Sequence, residues 1–204
     1  MSAWNKTRFA SWLKRAAAII AIAAAATGGW AGYLRITGNF HTVESGAVYR
    51  SGQLSGPQFA SRIQQNGIRT ILNLRGNNAG APWYDDELNA SSRAGVQHID
   101  FAISAGQELT DDEVRKISTI LRDAPRPLLI HCEAGADRSG LVAALYELLV
   151  EQRPPAEARA QLSFRYGHFP WLGSRTVAMD NTFDRVVSQQ QLPLPPRGQA
   201  RLVP

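Results

Sequence analysis

The residues around Cys132 have the types and the spacing needed for nucleophilic chemistry on an anion. Cys132 is the only cysteine in the chain of 204 residues, and His131 stands directly before it. Arg138 follows six positions later, with Ser139 next to it. A thiolate is stabilised by nearby positive charge and hydrogen-bond donors, and a guanidinium can hold two oxygens of one phosphate in its plane. The stretch therefore predicts a reaction in which Cys132 attacks a phosphate bound by Arg138.

The residues between Cys132 and Arg138 are suited to a loop that binds an anion through its backbone. Small side chains let successive peptide N–H groups turn toward one centre, and the helix predicted to follow begins with N–H groups that lack intrahelical partners. The predicted phosphate-binding residues are Glu133, Ala134, Gly135, Ala136, Asp137, Arg138 and Ser139. In such a loop we expect Cys132 to be ionised at neutral pH and His131 to orient the loop from behind. Ser139 would stabilise the sulfur as it leaves phosphorus.

The predicted reaction has two steps, and the first of them calls for an acid. Cys132 attacks the phosphorus in line with the leaving oxygen, and water then hydrolyses the phosphocysteine that has formed. The alkoxide or phenoxide expelled in the first step should receive a proton from a carboxylic acid. A candidate acid must therefore accompany the cysteine loop, which we define as residues 132–138.

The order His131-Cys132, five residues, Arg138-Ser139-Gly140 resembles the HCx5R[ST]G signature of the cysteine-dependent protein tyrosine and dual-specificity phosphatases. Upstream, "VYRSGQLS" and "IRTILNLRG" resemble the compact atypical dual-specificity branch of bacteria, fungi and plants, and the resemblance covers roughly residues 45–170. It implies a four- or five-stranded sheet flanked by helices. It also implies hydrolysis of phosphate monoesters without a metal or another cofactor, with an aspartate acid on a mobile loop before the cysteine.

Asp100 is the predicted acid. It lies 132 − 100 = 32 positions before the cysteine, but the stretch around it, "VQHIDFAIS", has the pattern of a strand. Asp100 could instead be a buried carboxylate paired with Arg75 or with another arginine of a loop. The alternative acids are Glu108, Asp111, Asp112 and Asp137. The first turn of a helix favours carboxylates for structural reasons alone, which is the competing interpretation of the pair at 111 and 112.

Three other interpretations of the cysteine loop stay open. Cys132 could be a buried thiol and Arg138 an unrelated surface residue. A rhodanese-like sulfurtransferase also uses a cysteine in an anion-binding loop, although that loop usually differs in length or ending. A pseudophosphatase would bind a phosphorylated partner without turnover. The intact Cys132 and Arg138 count against this last possibility, and the ambiguous acid counts for it.

Strand and helix patterns alternate along the chain and would place the cysteine loop at a strand end. Short apolar runs predict strands at residues 47–51, 68–74, 96–104 and 126–131. Helical patterns are present at residues 56–67, 81–95, 110–123, 139–152, 155–167 and 176–191. Thr110 and Glu113 form a capping-box pattern at the start of one of them. The alternation predicts an α/β domain with a central, mostly parallel sheet of four to five strands flanked by helices.

The N-terminal segment predicts a transmembrane helix. Residues 16–34 form an uncharged run of 19 residues, about enough at 1.5 Å each for a hydrocarbon core of roughly 30 Å. Trp30 and Tyr33 lie near its end, where aromatic rings favour the membrane interface. The basic residues before the run predict a single-pass protein of a bacterial inner membrane with its domain on the periplasmic side. A cleaved signal peptide and an alanine-rich soluble helix are the alternatives.

The net charge of +5 does not predict nucleic-acid binding. Residues 1–35 contain five basic residues and no acid, which leaves 22 − 5 = 17 basic and all 17 acidic residues in the remainder. The remainder is therefore neutral and lacks the basic surface typical of nucleic-acid partners. The single cysteine excludes an intramolecular disulfide. His98 and His168 have no partners at ligand spacing, so no metal site is expected.

These features divide the chain into five parts. They are a cytoplasmic basic leader (1–15), a transmembrane anchor (16–34), a linker (35–45), a phosphatase domain (46–190) and a disordered proline-rich tail (191–204). The expected partners are the membrane and a phosphorylated protein, lipid or small molecule. Arg50 and Arg75 are expected either at the mouth of the pocket or in ion pairs. The aromatic stretch "FRYGHFPWLG" is expected mainly in the core.

Overall fold

The computed structural model describes residues 3–171 and 173–191, and it shows an α/β domain that follows one long helix. The strands are β1 (His41–Glu44), β2 (Val48–Ser51), β3 (Thr70–Asn73), β4 (Gln97–Asp100) and β5 (Leu128–His131). The helices are α1 (Ala3–Ile36), α2 (Gly56–Asn66), α3 (Pro82–Arg93), α4 (Asp111–Asp123), α5 (Asp137–Leu149), α6 (Pro155–Ala158) and α7 (Val177–Gln191). Two 3₁₀ turns, Arg159–Gln161 and Phe164–Tyr166, follow α6.

The five strands form one sheet in the order β1-β2-β5-β3-β4. β1 pairs with β2 in the antiparallel sense, and every other neighbouring pair is parallel. The prediction of a mostly parallel sheet flanked by helices is confirmed. Because β5 is the central strand, the residues that follow it emerge at the middle of the carboxyl edge of the sheet, where open α/β folds bind ligands.

Apolar side chains cover both faces of the sheet. Successive residues of a strand point to opposite faces, so Leu128 and Ile130 of β5 pack toward α4, α5 and α7, while Leu129 packs toward α2 and α3. Helix α5 is buried over nearly its whole length, from Ser139 to Leu148, as expected for a helix that is apolar on all sides. This burial fixes the helix that begins at the end of the cysteine loop.

The starts of α4 and α2 have side-chain caps, and the cap of α4 was predicted from the sequence. Thr110 accepts a hydrogen bond from the Glu113 N–H, and the Glu113 carboxylate accepts one from the Thr110 N–H, so the predicted capping box is present. The stripe Val114, Ile117 and Leu121 behind this cap is buried. Ser55 and Gln58 form a second capping box at the start of α2. Both helices are therefore held at their first turn as well as by packing.

The structure differs from the sequence-based expectation in three segments. Residues 41–44 of the predicted linker form strand β1. The strand expected to continue to residue 104 ends at Asp100, so this aspartate lies at the edge of the sheet. The helix expected over residues 155–167 is interrupted, because the extended backbone of Ser163 (φ −140°, ψ 161°) cannot continue a helix.

Helix α1 runs without a break through the predicted leader and the predicted anchor. Within it, Ser11–Ile36 is long and apolar enough to cross a membrane. Length and composition alone support a span, since a signal sequence near an N-terminus has the same properties. The predicted tail lies outside the described residues from residue 192 onward, and the other domain boundaries stay predictions.

Candidate active site

Cys132 lies at the carboxyl end of the central strand, between β5 and α5. The residue is 2% exposed, and its N–H donates to the Ser51 carbonyl at 3.4 Å. The cysteine loop then turns through five residues to reach Arg138 in the first turn of α5. The predicted nucleophile and the predicted phosphate-binding residues are thus together in one strand-to-helix connection.

The carbonyl groups of the cysteine loop point outward and leave its N–H groups facing inward. All four carbonyls from residue 133 to residue 136 accept a hydrogen bond from outside the loop. The donors are the Gln53 N–H for Glu133, Asn39 Nδ2 for Ala134, and Arg50 Nη2 for Gly135 and Ala136, at 2.7–3.0 Å. Because the C=O and N–H of a planar peptide point in opposite directions, the N–H groups of the next residues turn toward the loop centre. Main-chain N–H groups arranged in this way are suited to binding an anion.

Gly135 is the residue that allows the loop to close so tightly. Its φ angle is +73°, which residues with a Cβ adopt at a cost. A Cβ placed there would also lie 2.4 Å from the Gly52 nitrogen and 2.7 Å from the Ser51 carbonyl carbon. The loop is therefore pressed against the end of β2, and no other residue fits at this position without moving the backbone.

Arg50 is a fully buried cation directly behind the loop. Its Nη1 donates to the Gln161 carbonyl at 2.6 Å and to Gln161 Oε1 at 2.9 Å, and its guanidinium carbon lies 4.1 Å from the centre of the Tyr166 ring. Burial lowers the pKa of Arg50 to about 10, so the side chain stays charged at neutral pH. The expectation that Arg50 lines the pocket mouth or forms an ion pair is wrong, because its donors serve Gln161 and the loop carbonyls.

Arg138 and Ser139 lie at the other end of the loop. Arg138 Nη1 donates to the carbonyls of Leu74 and Ile103 at 3.3 and 3.4 Å, which is longer than most N–H···O hydrogen bonds. These weak contacts leave the guanidinium available for a stronger acceptor. Ser139 is fully buried, and its hydroxyl donates to the Ser51 carbonyl at 3.2 Å. Ser139 and Cys132 thus donate to the same carbonyl group, that of Ser51.

A buried glutamate that the sequence did not single out holds His131. Glu87 of α3 is fully buried, and its Oε1 lies 2.8 Å from His131 Nε2 and 2.7 Å from His98 Nε2. Burial opposes ionisation of Glu87, but the hydrogen bonds from His131 and His98 outweigh it and lower its pKa to about 2. The His131 ring is therefore held by the Glu87 carboxylate, on the side away from the loop centre.

Asp100, the predicted acid, lies at the end of β4 in a network of its own. Tyr84 donates to Asp100 Oδ2 at 2.5 Å, and Asn73 Nδ2 donates to Asp100 Oδ1 at 2.8 Å. Its side chain is 24% exposed, and His98 Nδ1 is 3.8 Å from Oδ1. The expected pairing with Arg75 is not the one observed. Each oxygen of Asp100 thus accepts one short hydrogen bond and keeps a second lone pair.

Every alternative acid also has a partner in the structure. Asp111 pairs with Arg185, and Asp112 pairs with Arg115 and Lys116 on its own helix. Glu108 Oε1 accepts a hydrogen bond from Asn181 Nδ2 at 2.9 Å. The contacts of the pair at 111 and 112 agree with a structural role in the first turn of α4.

Asp137 of the cysteine loop is bound by a buried histidine. His168 lies between two carboxylates, with Nδ1 2.7 Å from Asp137 Oδ1 and Nε2 2.9 Å from Asp180 Oδ2. Both ring nitrogens can donate only in the imidazolium form. Burial lowers the pKa of His168, but the hydrogen bonds to Asp137 and Asp180 outweigh it and raise the pKa above its ordinary value. His168 thereby ties the loop to α7.

Because of this contact, we expect the free energy of unfolding to decrease as pH rises through the folded-state pKa of His168. A group with a raised folded-state pKa stabilises the fold fully below its unfolded pKa, and that contribution is lost as pH rises through the folded pKa. The melting temperature of the full chain should fall over this range, by about 2–4 °C for each kcal/mol lost. Scanning calorimetry of wild type and His168→Gln in detergent should show a shallower pH dependence in the variant. Identical slopes would contradict the imidazolium assignment.

Arg75 and Trp83 lie at the groove beside the loop. Arg75 stacks on the Trp83 ring, with its guanidinium carbon 3.5 Å from the ring centre, and Nη1 donates to Gln53 Oε1 at 2.9 Å. Both side chains line a groove of about 760 Å³ together with Glu133 of the loop and Arg35 of α1. Of the two arginines expected at the pocket mouth or in ion pairs, Arg75 lines this groove and Arg50 does not.

Proteins of known structure share this fold at low sequence identity. TpbA of P. aeruginosa has a TM-score of 0.59 and 20% identity, covering 73% of this chain and 85% of TpbA. Tk-PTP, in its G95A mutant form, has a TM-score of 0.56 and 17% identity, covering 73% and 97%. PTPMT1 has a TM-score of 0.55 and 15% identity, covering 74% and 98%. At such identities the likeness establishes the fold alone.

The sequence itself matches a family of phosphatases. The match extends over residues 34–178, which is more than half of the chain and contains all five strands and the cysteine loop. The resemblance to dual-specificity and protein tyrosine phosphatases inferred from the motif is therefore confirmed. The chain belongs to the family described as DSP-PTPase phosphatase fused to NAD+ kinase.

Proposed function

We propose that this protein hydrolyses phosphate monoesters through a phosphocysteine intermediate. The observation that carries the proposal is the set of outward carbonyls at residues 133–136, which turns a ring of N–H groups toward the space beside Cys132. Arg138 supplies the planar charge that two phosphate oxygens require. Donors of this kind stabilise the charge that develops on the transferring phosphoryl group.

In the first step Cys132 Sγ attacks phosphorus, and the bond from phosphorus to the ester oxygen breaks. The leaving oxygen takes a proton, for which we propose Asp100 as the donor. In the second step water attacks the phosphocysteine and gives a proton to Asp100, now a carboxylate, while the phosphorus–sulfur bond breaks; inorganic phosphate leaves with the sulfur restored as a thiolate. Ser139 would support this last departure by turning its hydroxyl from the Ser51 carbonyl to the sulfur.

Phosphate release from p-nitrophenyl phosphate by the full chain in detergent tests the proposal, together with acid-quench trapping of labelled phosphate on Cys132. Release with a label on Cys132 supports it. Binding of phosphate without release would favour the pseudophosphatase alternative instead. Transfer of sulfur from thiosulfate to cyanide through a persulfide on Cys132 would favour the sulfurtransferase alternative.

Replacing Asp100 by asparagine tests its proposed role as the acid. We expect a loss of about 100-fold in kcat on phenyl phosphate, whose leaving oxygen needs a proton, and a much smaller loss on p-nitrophenyl phosphate. A purely structural role would lower both rates in the same proportion. Asp112→Asn is the matched control, since Asp112 pairs only with Arg115 and Lys116 on the surface of α4. Equal losses on both substrates would remove Asp100 from the mechanism.

The proposed substrates are phosphorylated proteins, lipids or small molecules. A cysteine-to-serine form of TpbA has been crystallised with phosphotyrosine, and PTPMT1 has been crystallised with PI(5)P, so the fold accepts aromatic and lipid phosphates.

We further propose that α1 anchors the protein in the bacterial inner membrane with the domain on the periplasmic side. A reporter enzyme fused after residue 204 that is active only in the cytoplasm would contradict this orientation.

A further inference from the structure

The exposed apolar surface of the domain is concentrated beside α1. Outside α1, the exposed large apolar side chains of the described residues are Phe164 (49%), Phe169 (43%), Trp171 (70%) and Val177 (42%). The Phe169 ring lies 5.3 Å from that of Phe164 and 4.6 Å from that of Trp171. These three rings form one continuous surface, which we call the aromatic patch (Phe164, Phe169 and Trp171). A contiguous exposed patch of this kind marks an interaction site.

The patch belongs to a segment that packs on the last turns of α1. Leu34 is a buried side chain near the end of α1, and its Cδ1 would lie 3.3 Å from a Cβ at Gly167. Arg165 lines a shared groove with Trp30 and Tyr33 of α1. The same Gly167 position would lie 3.7 Å from the Ala136 Cβ of the cysteine loop. One short turn therefore lies between the end of α1 and the loop.

With α1 spanning the membrane as proposed above, its length puts its last turns at the membrane surface. The candidate span Ser11–Ile36 has 26 residues, which is about 39 Å at 1.5 Å per residue, whereas a hydrocarbon core is about 30 Å thick. Trp30 and Tyr33, stacked at 5.7 Å, are the residue types enriched at the interface. A domain segment that packs beside them lies at the depth of the lipid headgroups.

We propose that the aromatic patch inserts into the interfacial layer of the membrane that α1 crosses. Phenylalanine and tryptophan rings are stable at this depth, and the exposed Arg165 beside Phe164 can reach anionic lipid phosphates. The partner is thus the lipid bilayer, bound through the catalytic domain as well as through the helix. This second contact holds the cysteine loop against the membrane surface, and it does not depend on turnover.

Nitroxide labels on the full chain test the proposal. The single native cysteine makes this practical, because Cys132→Ser leaves only an introduced thiol to label. Trp171→Cys and Phe164→Cys place the label in the aromatic patch, and Lys116→Cys, at a side chain 62% exposed on α4, is the matched control. Each protein is reconstituted in vesicles of phosphatidylcholine and phosphatidylglycerol, and circular dichroism confirms that it is folded.

The readout is the ratio of label collisions with oxygen, which partitions into lipid, to collisions with a water-soluble nickel chelate. We expect this ratio to be at least about threefold higher at both patch positions than at residue 116, because interfacial rings contact lipid. A ratio equal to that of the control would overturn the proposal by placing the patch in water. Shielding from both reagents would also overturn it, because a second copy of the chain would then cover the patch.

Discussion

Replacing Cys132 by serine is expected to lower kcat on p-nitrophenyl phosphate at least about 10⁴-fold, because a neutral hydroxyl is a poor nucleophile in place of a thiolate. The change removes one sulfur and leaves the loop carbonyls, Arg50 and Arg138 in place. Phosphate binding should therefore survive. Steady-state kinetics and calorimetric titration of the full chain with phosphate measure the two effects separately.

Measuring kcat and phosphate affinity together separates loss of the nucleophile from damage to the loop. A variant that loses activity and phosphate binding together would show that the serine has disturbed the loop, and Cys132→Ala would then be the cleaner replacement. Ser51→Ala provides a control beside the nucleophile, since Ser51 accepts a hydrogen bond from Cys132 at its carbonyl group while its hydroxyl donates to the Gly52 carbonyl. A Cys132→Ser enzyme with wild-type kcat would exclude a phosphocysteine intermediate.

Replacing Arg50 by methionine is expected to lower kcat/KM at least about 100-fold, although Arg50 touches no substrate. Misplacement of a reacting group by about 1 Å can cost a factor of this size. Without Arg50, the Gly135 carbonyl loses its donor, and the Ala136 carbonyl keeps only the Gly140 N–H at 3.0 Å. The peptide units are then free to rotate, and the N–H groups leave the loop centre.

Arg50 is a positioning residue, and phosphate affinity distinguishes this role from a general loss of stability. We expect the phosphate Kd of Arg50→Met to rise at least about 100-fold in protein that is still folded by circular dichroism. Arg50→Lys should recover part of the affinity, because an ammonium keeps the charge but lacks the planar fork. Arg62→Met is the matched control, since Arg62 also stacks on an aromatic ring, Phe40 at 4.2 Å. Wild-type affinity in folded Arg50→Met would refute the role.

The parts of this molecule that follow local rules could be predicted from the sequence. The spacing from His131 to Gly140 identifies the cysteine loop, and the apolar stripe with its capping box identifies α4. These patterns depend on neighbours within one or two turns, so no tertiary information is needed.

The support of the loop could not be predicted, because its parts are far apart in the chain. Arginine is rarely buried, and the partners of Arg50 lie 85 and 111 positions away, at Gly135 and Gln161. Glu87 lies in a helix whose sequence pattern is unremarkable apart from its acids. Its burial depends on His131 and His98, which come from two different strands. Contacts of this kind become visible only once the sheet order is known.

The aromatic stretch after α6 was predictable only in part. Tyr166 and His168 are buried as expected for core residues, but the three rings of the aromatic patch are exposed. Aromatic content alone does not separate the two outcomes. Tyr166 is buried because its ring stacks against the guanidinium of Arg50. The rings of the aromatic patch have no such buried partner and contact one another at the surface.

A single carboxamide joins the site to the base of the N-terminal helix. Asn39 Nδ2 donates to Ala134 O at 2.9 Å and to Tyr166 O at 2.8 Å, only three positions after α1 ends at Ile36. A soluble fragment that begins at residue 46, the boundary suggested by the sequence, would lack this amide and the whole of β1. A truncated domain for crystallisation or assay should therefore begin before residue 39, so that each loop carbonyl keeps its hydrogen-bond donor.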